Sequence, residues 1–397
     1  MSHRDESPKS RLADQDELEL VVEKLIAGGD GFARWNAIPI FVPRSAPGDR
    51  LRVRLVEKRR DYGRAEIVEI LEEGPGRRAA PCAFFGRCGG CDLQHIEDEL
   101  QAKLKAAAVH ETLVRLGGVR TDTPLEIILG SPWGYRQRAQ VHSSTDGEQV
   151  RIGFHSRRGH ELVAVDSCPV LVPELERELG TLPRRLSSPP PERLDLLVGD
   201  DGALSTAPRS ETLPHGAVEI SVGEFAYELD ARCFFQTHRQ LLPRLIQEVV
   251  GEWRGSEAFD LFAGVGFFSL PLAGLYDRVV AVEGDRTSGR YLQRNGRRAR
   301  VDGLDYVHSA IESWITQLPD RADRVIVDPP RTGLSGKIKE YLCQRRPRLL
   351  TYASCHPATL ARDLKGLARA FELDSLSLID LFPQTGHMEV VAQLSSK

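Results

Sequence analysis

From His238 to the C-terminus, stretches of helical period alternate with short β-branched runs, which confines the second half of the chain to a doubly wound, mostly parallel sheet. The spacing predicts a helix to about Trp253, a strand over Ala258–Phe262, a helix after Phe267, a strand over Val279–Glu283 and a helix to about Arg300. Further strands are predicted over Arg324–Asp328, Leu349–Ala353 and Glu389–Leu394. Such sheets bind ligands beyond the carboxyl ends of their strands. Three motifs fall at that edge: Asp260-Leu261-Phe262-Ala263-Gly264-Val265-Gly266, then Asp328-Pro329-Pro330-Arg331, then an apolar strand running into Ser354-Cys355-His356-Pro357.

The glycines of the first motif let a strand turn sharply into a helix with backbone close to a ligand. Ser269 stands where a dinucleotide fingerprint has its third glycine, which disfavours a nicotinamide cofactor. Glu283 ends the next apolar strand 19 residues after Gly264, where a carboxylate accepts bonds from two ribose hydroxyls. An acidic strand end, a shortened glycine turn and that glutamate fit S-adenosylmethionine better than a phosphate-rich cofactor.

A chain of 397 residues with 41% hydrophobic content is too long for one average core and suffices for two or three. No apolar run reaches the roughly 18 residues of a membrane span, and Met1–Ser7 lacks the apolar region of a signal peptide. A cytoplasmic location and no membrane partner are expected. Seven cysteines, three of them between Cys82 and Cys91, point to metal binding or catalysis rather than an extracellular disulfide framework. A net charge of -4 gives no global nucleic-acid signal, so RNA binding would rest on local basic patches.

Residues 1–15 read as a disordered tail. Residues 16–75 hold short alternating runs broken by Ala27-Gly28-Gly29-Asp30-Gly31 and Pro47-Gly48-Asp49, the pattern of a small five-stranded barrel. Arg50, Arg52, Arg54, Lys58, Arg59, Arg60 and Arg64 predict one basic face, against the plainer reading of a solvated strand face. Residues 76–232 form a mainly β central region after a helix over 96–118, whose stripe of Leu100, Leu104, Ala107, Ala108 and Leu113 is expected to pack on the catalytic domain. Strands are expected near Arg136–Ser143, Val150–His155, Leu162–Val165, Leu194–Val198 and Val218–Leu229, with a loop at Ser187–Pro191. Residues 233–397 form the sheet domain.

Five motifs in order now resemble the RNA 5-methyluridine methyltransferases: Phe234-Phe235-Gln236, Asp260–Gly266, Asp328–Arg331, Ser354–Asp363 and Phe382–Val390. The resemblance covers nearly the whole chain from Leu18. It implies a Rossmann-like α/β domain behind a TRAM/OB-like β-barrel and an iron–sulfur branch similar to the large-subunit ribosomal RNA enzymes. Uracil C5 is a poor nucleophile, so a thiolate must add at C6 before C5 can attack a sulfonium methyl. The resemblance makes Cys355 that thiolate and Glu389 the base that removes the C5 proton. It also implies that Asp328 recognises the uracil edge, that Phe234 or Phe235 walls the base pocket, and that Gln236, Asp260, Phe262, Gly264, Gly266, Glu283 and Asp328 hold S-adenosylmethionine. His238 and His356 stand where the family often has asparagine.

Cys82, Cys88 and Cys91 follow a CxxxxxCxxC spacing beside Gly86, Gly89 and Gly90, and Cys168 precedes Pro169. Four thiolates hold either one zinc or a [4Fe-4S] cluster; the resemblance makes Cys168 the fourth ligand and the centre a [4Fe-4S] cluster. It also implies an RNA partner, ribosomal or transfer, that Arg136, Arg138, Arg151, Arg157 and Arg158 would help to follow, and no obligate protein partner. Rival readings are a tRNA uracil-C5 enzyme, an RNA cytosine-C5 methyltransferase and a noncatalytic RNA-binding chaperone. A cytosine enzyme wants a second cysteine where Pro330 and Arg331 stand, and intact Cys355, Asp328 and Glu389 oppose the chaperone. Against each site stands an ordinary role. Cys233 and Cys343 read as core thiols, His238 as a satisfied helix-start histidine, and Asp260 as a helix cap.

Overall fold

The computed structural model describes Leu12 and residues 16–119, 124–147, 149–157 and 159–397. The remainder of the expected tail, and Arg158, lie outside the described residues. Leu12 is buried beside Leu18 and Leu20 in the barrel core. The chain divides into two compact units.

One unit comprises the described residues up to Val109, with Ser156–Gly159 and Pro383–His387. Its sheet has six strands rather than five, in the spatial order Glu17–Val21, Arg50–Lys58, Gly63–Glu72, Ile38–Pro43, Asp30–Trp35 and Lys24–Leu25. Asp30–Trp35 is hidden, in sequence, inside an apparent glycine loop. Only Gly28 and Gly29 have positive φ there, +98° and +85°, so the turn is confined to them and the strand begins at Asp30. Alternating residues Leu18, Leu20, Leu51, Val53 and Leu55 fill the core.

The predicted basic face is a mixed-charge ladder instead. Arg50 pairs with Glu19 and Glu72, Arg52 with Glu69, Arg54 with Glu17, Lys58 with Asp16, Arg59 with Glu57, and Arg64 with Asp30. Opposite charges face one another across neighbouring strands, where cross-strand pairs meet. Beneath the loops, Asp49 is fully buried and accepts from Arg77 Nη2 at 2.6 Å, Ala46 N at 2.6 Å and Gly74 N at 2.9 Å.

The predicted helix is observed over Asp98–Thr112. Its buried face carries Gln101, Ala102, Lys105, Ala108 and Val109, whereas Leu100 and Leu104 are half-buried and Ala107 is exposed. The apolar stripe is therefore borne out in part: Ala108 and Leu113 are buried, Leu100 and Leu104 pack at the edge of a small cluster, and Ala107 faces out. Gln101 is inside because its amide has partners there: it donates to Leu93 O and Ile96 O and accepts from Gln384 N at 3.0 Å.

The second unit comprises His110–His155, His160–Phe382 and Met388–Lys397. A π-helical turn over Leu113–Gly117 lies so close to the Pro357–Leu367 helix that a Cβ on Gly117 would stand 3.1 Å from Ala361 O. A five-stranded antiparallel sheet holds Leu162–Ala164, Gln149–His155, Arg138–Asp146, Arg193–Val198 and Leu204–Ala207. The single strand expected over 218–229 is a hairpin, Val218–Val222 and Phe225–Leu229, turned at Gly223.

The main sheet has eight strands: Leu304–His308, Tyr276–Glu283, Gly255–Leu261, Arg324–Val327, Leu349–Ser354, Glu389–Ser396, Phe371–Ile379 and Leu125–Ile128 in spatial order. The first five are parallel, and Glu389–Ser396 runs antiparallel to both its neighbours. Arg324–Val327 is buried at all four positions, as a strand covered on both faces must be. Leu261 stands beside Val282 and Val327, and Val327 beside Tyr352, so the carboxyl ends of these strands line up. Among the described residues, no helix is long and apolar enough to cross a membrane.

Candidate active site

Sheet register brings the two central groups together. Ser354 is the partner of Val390, so Cys355 follows the end of one strand where Glu389 opens its antiparallel neighbour. Cys355 is half-buried and Glu389 is buried. Burial, with the charges of Glu389 and Asp328, pushes the Cys355 thiol up to about 11, while a hydrogen bond and charge from Arg331 oppose the rise. Burial and the neighbouring Asp328 hold Glu389 well above the usual carboxylate range. Asp328 in turn is lifted to about 7 by its enclosure and by Asp260. Three carboxyls thus crowd one edge of the sheet, with the Arg331 guanidinium near the thiol. Sequence reading used Arg331 only to reject other chemistries and missed its place beside Cys355.

The predicted cofactor residues share the same edge. Gln236 Nε2 donates to Asp328 Oδ2 at 3.4 Å. Asp260 is fully buried and accepts from Ser269 Oγ at 2.5 Å, so it caps no helix N–H, and Ser269 is the partner that sequence reading overlooked. Its second oxygen, Oδ1, is buried without a partner, and burial raises the carboxyl to about 7. Glu283 accepts from Gly264 N at 2.8 Å and Asp285 N at 2.6 Å, which aims its carboxylate and leaves each oxygen a lone pair for a hydroxyl.

The glycine turn is open where a ligand would approach. A Cβ on Gly264, at φ +55°, would meet nothing within 4 Å, whereas one on Gly266, at φ +91°, would stand 2.7 Å from Leu270 Cδ1. Phe262 takes φ +74°, a left-handed backbone that non-glycine residues rarely adopt and that gathers at functional turns. An orphaned buried oxygen on Asp260, a carboxylate on Glu283 with free lone pairs and open space over Gly264 fit S-adenosylmethionine.

The aromatic pair divides. Phe235 is buried against Tyr227 and Phe267, while Phe234 is 60% exposed with the Arg138 guanidinium 5.8 Å from its ring centre. Of the two, Phe234 is the one whose ring is open to solvent. Cys233 and Cys343 are buried thiols, as expected. His238 is buried, stacked on Tyr135 at 4.7 Å, with Nε2 3.1 Å from Ser131 O. His356 caps the Pro357–Leu367 helix, its Nδ1 accepting from Thr359 N at 3.3 Å. An imidazole nitrogen thus does what an asparagine oxygen does at a helix start.

Cys82, Cys88 and Cys91 lie in one glycine-rich loop of the barrel unit, and Cys168 belongs to the sheet unit. Gly90 N donates to Cys88 Sγ at 3.4 Å, an N–H to sulfur bond of the kind that surrounds ligating thiolates. The donors suit iron–sulfur ligation in kind. Among the described residues, however, no group of three or more His, Cys, Asp or Glu stands ready to hold a metal ion.

A doubly wound sheet with this glycine turn and a glutamate ending the next strand is the frame of a Rossmann-like methyltransferase. Residues 215–397 match the sequence profile described as tRNA (Uracil-5-)-methyltransferase, and residues 15–68 match the TRAM domain. The chain is 31% identical, over 98% of its length and 99% of the relative's, to the 23S rRNA (uracil(1939)-C(5))-methyltransferase RlmD of Photorhabdus laumondii. It is 32% identical to the protein of the same name from an Enterobacter species, covering 96% of this chain and 97% of that one. The crystal structure of Pyrococcus abyssi tRNA (uracil-54, C5)-methyltransferase with S-adenosyl-L-homocysteine shares the fold, with TM-score 0.73, 23% identity, and coverage of 95% of this chain and 100% of that one. The chain belongs to the RNA uracil-C5 methyltransferase family.

Proposed function

We propose that the protein methylates C5 of a uridine in 23S ribosomal RNA through a covalent bond between Cys355 and C6 of the base. The observation that carries this reading is the Ser354–Val390 register, which sets a thiol and a basic carboxylate side by side at the cofactor edge. Near-complete coverage of relatives named for 23S RNA supports that target over transfer RNA, and such a substrate implies a cytoplasmic site of action.

Gln236, Asp260, Phe262, Gly264, Gly266, Glu283 and Asp328 would hold S-adenosylmethionine, which would supply an electrophilic methyl group. The Cys355 thiolate forms a bond to C6, and the C5=C6 pair moves toward the O4 carbonyl as an enolate. C5 would then take the methyl as its bond to the sulfonium sulfur breaks, leaving S-adenosylhomocysteine. Glu389 takes the C5 proton, the double bond re-forms and the sulfur departs. Ionised Asp328 accepts from the uracil N3 proton, and Phe234 flanks the base. Burial keeps the resting thiol mostly protonated at neutral pH, and the opposing charge of Arg331 favours the thiolate.

Cys82, Cys88, Cys91 and Cys168 are proposed to ligate a [4Fe-4S] cluster that orders the chain around them and takes no part in methyl transfer. Iron and labile sulfide assays on protein purified without oxygen should give four of each per chain; stoichiometric zinc without sulfide would overturn the cluster. The methyl transfer is tested with 23S and transfer RNA transcripts containing 5-fluorouridine, whose C5 fluorine cannot leave as a proton. Wild type should form a denaturant-stable adduct with the 23S transcript, and Cys355→Ala none. Equal 5-methyluridine formation by Cys355→Ala would refute the covalent route.

A further inference from the structure

The loop after Asp328 is gripped by two consecutive residues of the helix that follows Cys355. Arg362 Nη2 donates to Thr332 O at 2.8 Å, and Asp363 Oδ2 accepts from Leu334 N at 2.8 Å. Between these contacts Gly333 takes φ +74°, and a Cβ there would stand 2.4 Å from Asp363 Oδ2. The helix and loop therefore meet too closely for any side chain.

Asp363 is fully buried and gathers donors from four elements. Besides Leu334 N, it accepts from Tyr352 Oη at 2.9 Å, from Lys339 Nζ at 2.6 Å and from Arg362 Nε at 3.0 Å. Tyr352 lies on the strand that ends at Cys355, and Lys339 on the Gly336–Arg345 helix. A carboxylate with two cationic partners and two neutral ones is satisfied where it stands, and a buried charge so held resists displacement. Arg331 precedes the gripped segment by one residue, and its guanidinium lies near enough to the Cys355 thiol to oppose the rise that burial causes there.

We propose that Asp363 is a positioning residue for methyl transfer: it locks the Asp328–Leu334 loop to the nucleophile's strand and so keeps the Arg331 guanidinium on the Cys355 sulfur. It touches neither base nor cofactor. The proposal rests on the reading of Cys355 as nucleophile, but its geometry concerns the resting thiol and requires no RNA. The charged groups facing that sulfur are Glu389, Asp328 and Arg331, and those facing Asp363 are Lys339 and Arg362 with the Tyr352 hydroxyl.

The test is the rate of Cys355 alkylation by iodoacetamide against pH, read by mass spectrometry of the Cys355 peptide in the full-length protein without RNA or S-adenosylmethionine. Asp363→Asn keeps the size and removes the charge. It should slow alkylation about tenfold at pH 8.5 and raise the midpoint of the profile by about one pH unit. Arg331→Gln should do the same, and Asp363→Asn should add nothing in the Arg331→Gln background. That lack of additivity separates positioning from general loosening. A wild-type profile for folded Asp363→Asn, or equal slowing in both backgrounds, overturns the proposal. Should Asp363→Asn fail to fold, Tyr352→Phe removes one donor only and decides the matter: a slowing of about threefold, absent with Arg331→Gln, supports it, and an unchanged profile refutes it. Absence of 5-methyluridine with wild-type enzyme would refute the proposed function while leaving this measurement intact.

Discussion

Replacing Asp260 by asparagine should flatten the fall in stability of the sheet unit as pH rises through the acid range. The carboxyl is fully buried, has one donor in Ser269, and ionises near pH 7 in the folded protein against an ordinary value of 3.8. Between about pH 4 and 7 the unfolded chain has therefore lost a proton that the folded chain keeps. Stability must fall as pH rises through that window and level off above it. A folded carboxyl that ionises about three pH units late, at about 1.36 kcal/mol for each, carries a penalty of about 4 kcal/mol at pH 8. Asparagine has no proton to lose and no charge to raise Asp328, so the variant should gain at least that amount on wild type between pH 4 and 8, whatever constant cost its buried amide adds. Urea denaturation followed by Trp314 fluorescence suits the measurement, because Trp314 packs 5.6 Å from Phe259, the neighbour of Asp260. A difference between variant and wild type that stays constant within about 0.5 kcal/mol across the range would refute the burial argument.

Gly266→Ala should cost about 2 kcal/mol in melts of the cofactor-free protein, since its Cβ would collide with Leu270 at positive φ. Gly264→Ala should cost about half as much and instead weaken S-adenosylhomocysteine in calorimetric titration, because its Cβ points into open space. His356→Ala should lower stability by about 1 kcal/mol through loss of the helix cap, and His356→Asn should restore it in thermal denaturation. Arg77→Ala leaves buried Asp49 without its cation and should destabilise the barrel unit by about 3–5 kcal/mol, read from Trp35 fluorescence in urea.

The sheet unit was legible because buried parallel strands are written as continuous apolar runs, and Arg324–Val327 and Leu349–Ser354 match their runs closely. Strands with polar or exposed positions escaped: Leu304–His308 has no fully buried residue, and Leu125–Ile128 has one. The strand-end positions of Cys355, Asp328 and Asp260 were legible in the apolar runs that precede them, whereas Glu389 was singled out by the resemblance. Arg331, Ser269 and Asp363 were not assigned roles, since each acts through a contact that only register and the packing of helix on loop create. The barrel arginines misled for the same reason. Their period was visible, but the carboxylates answering them lie on other strands, many residues away.

That ladder bears on how the barrel would engage a polyanion. Arginines neutralised from within shed few condensed ions when a phosphate arrives; they exchange a carboxylate for it instead. Counterion release, which makes most protein–nucleic acid affinity fall steeply with added electrolyte, is then muted on this face. Recognition there would draw on shape and hydrogen-bond geometry and persist at ionic strengths that strip an ordinary basic patch from its RNA.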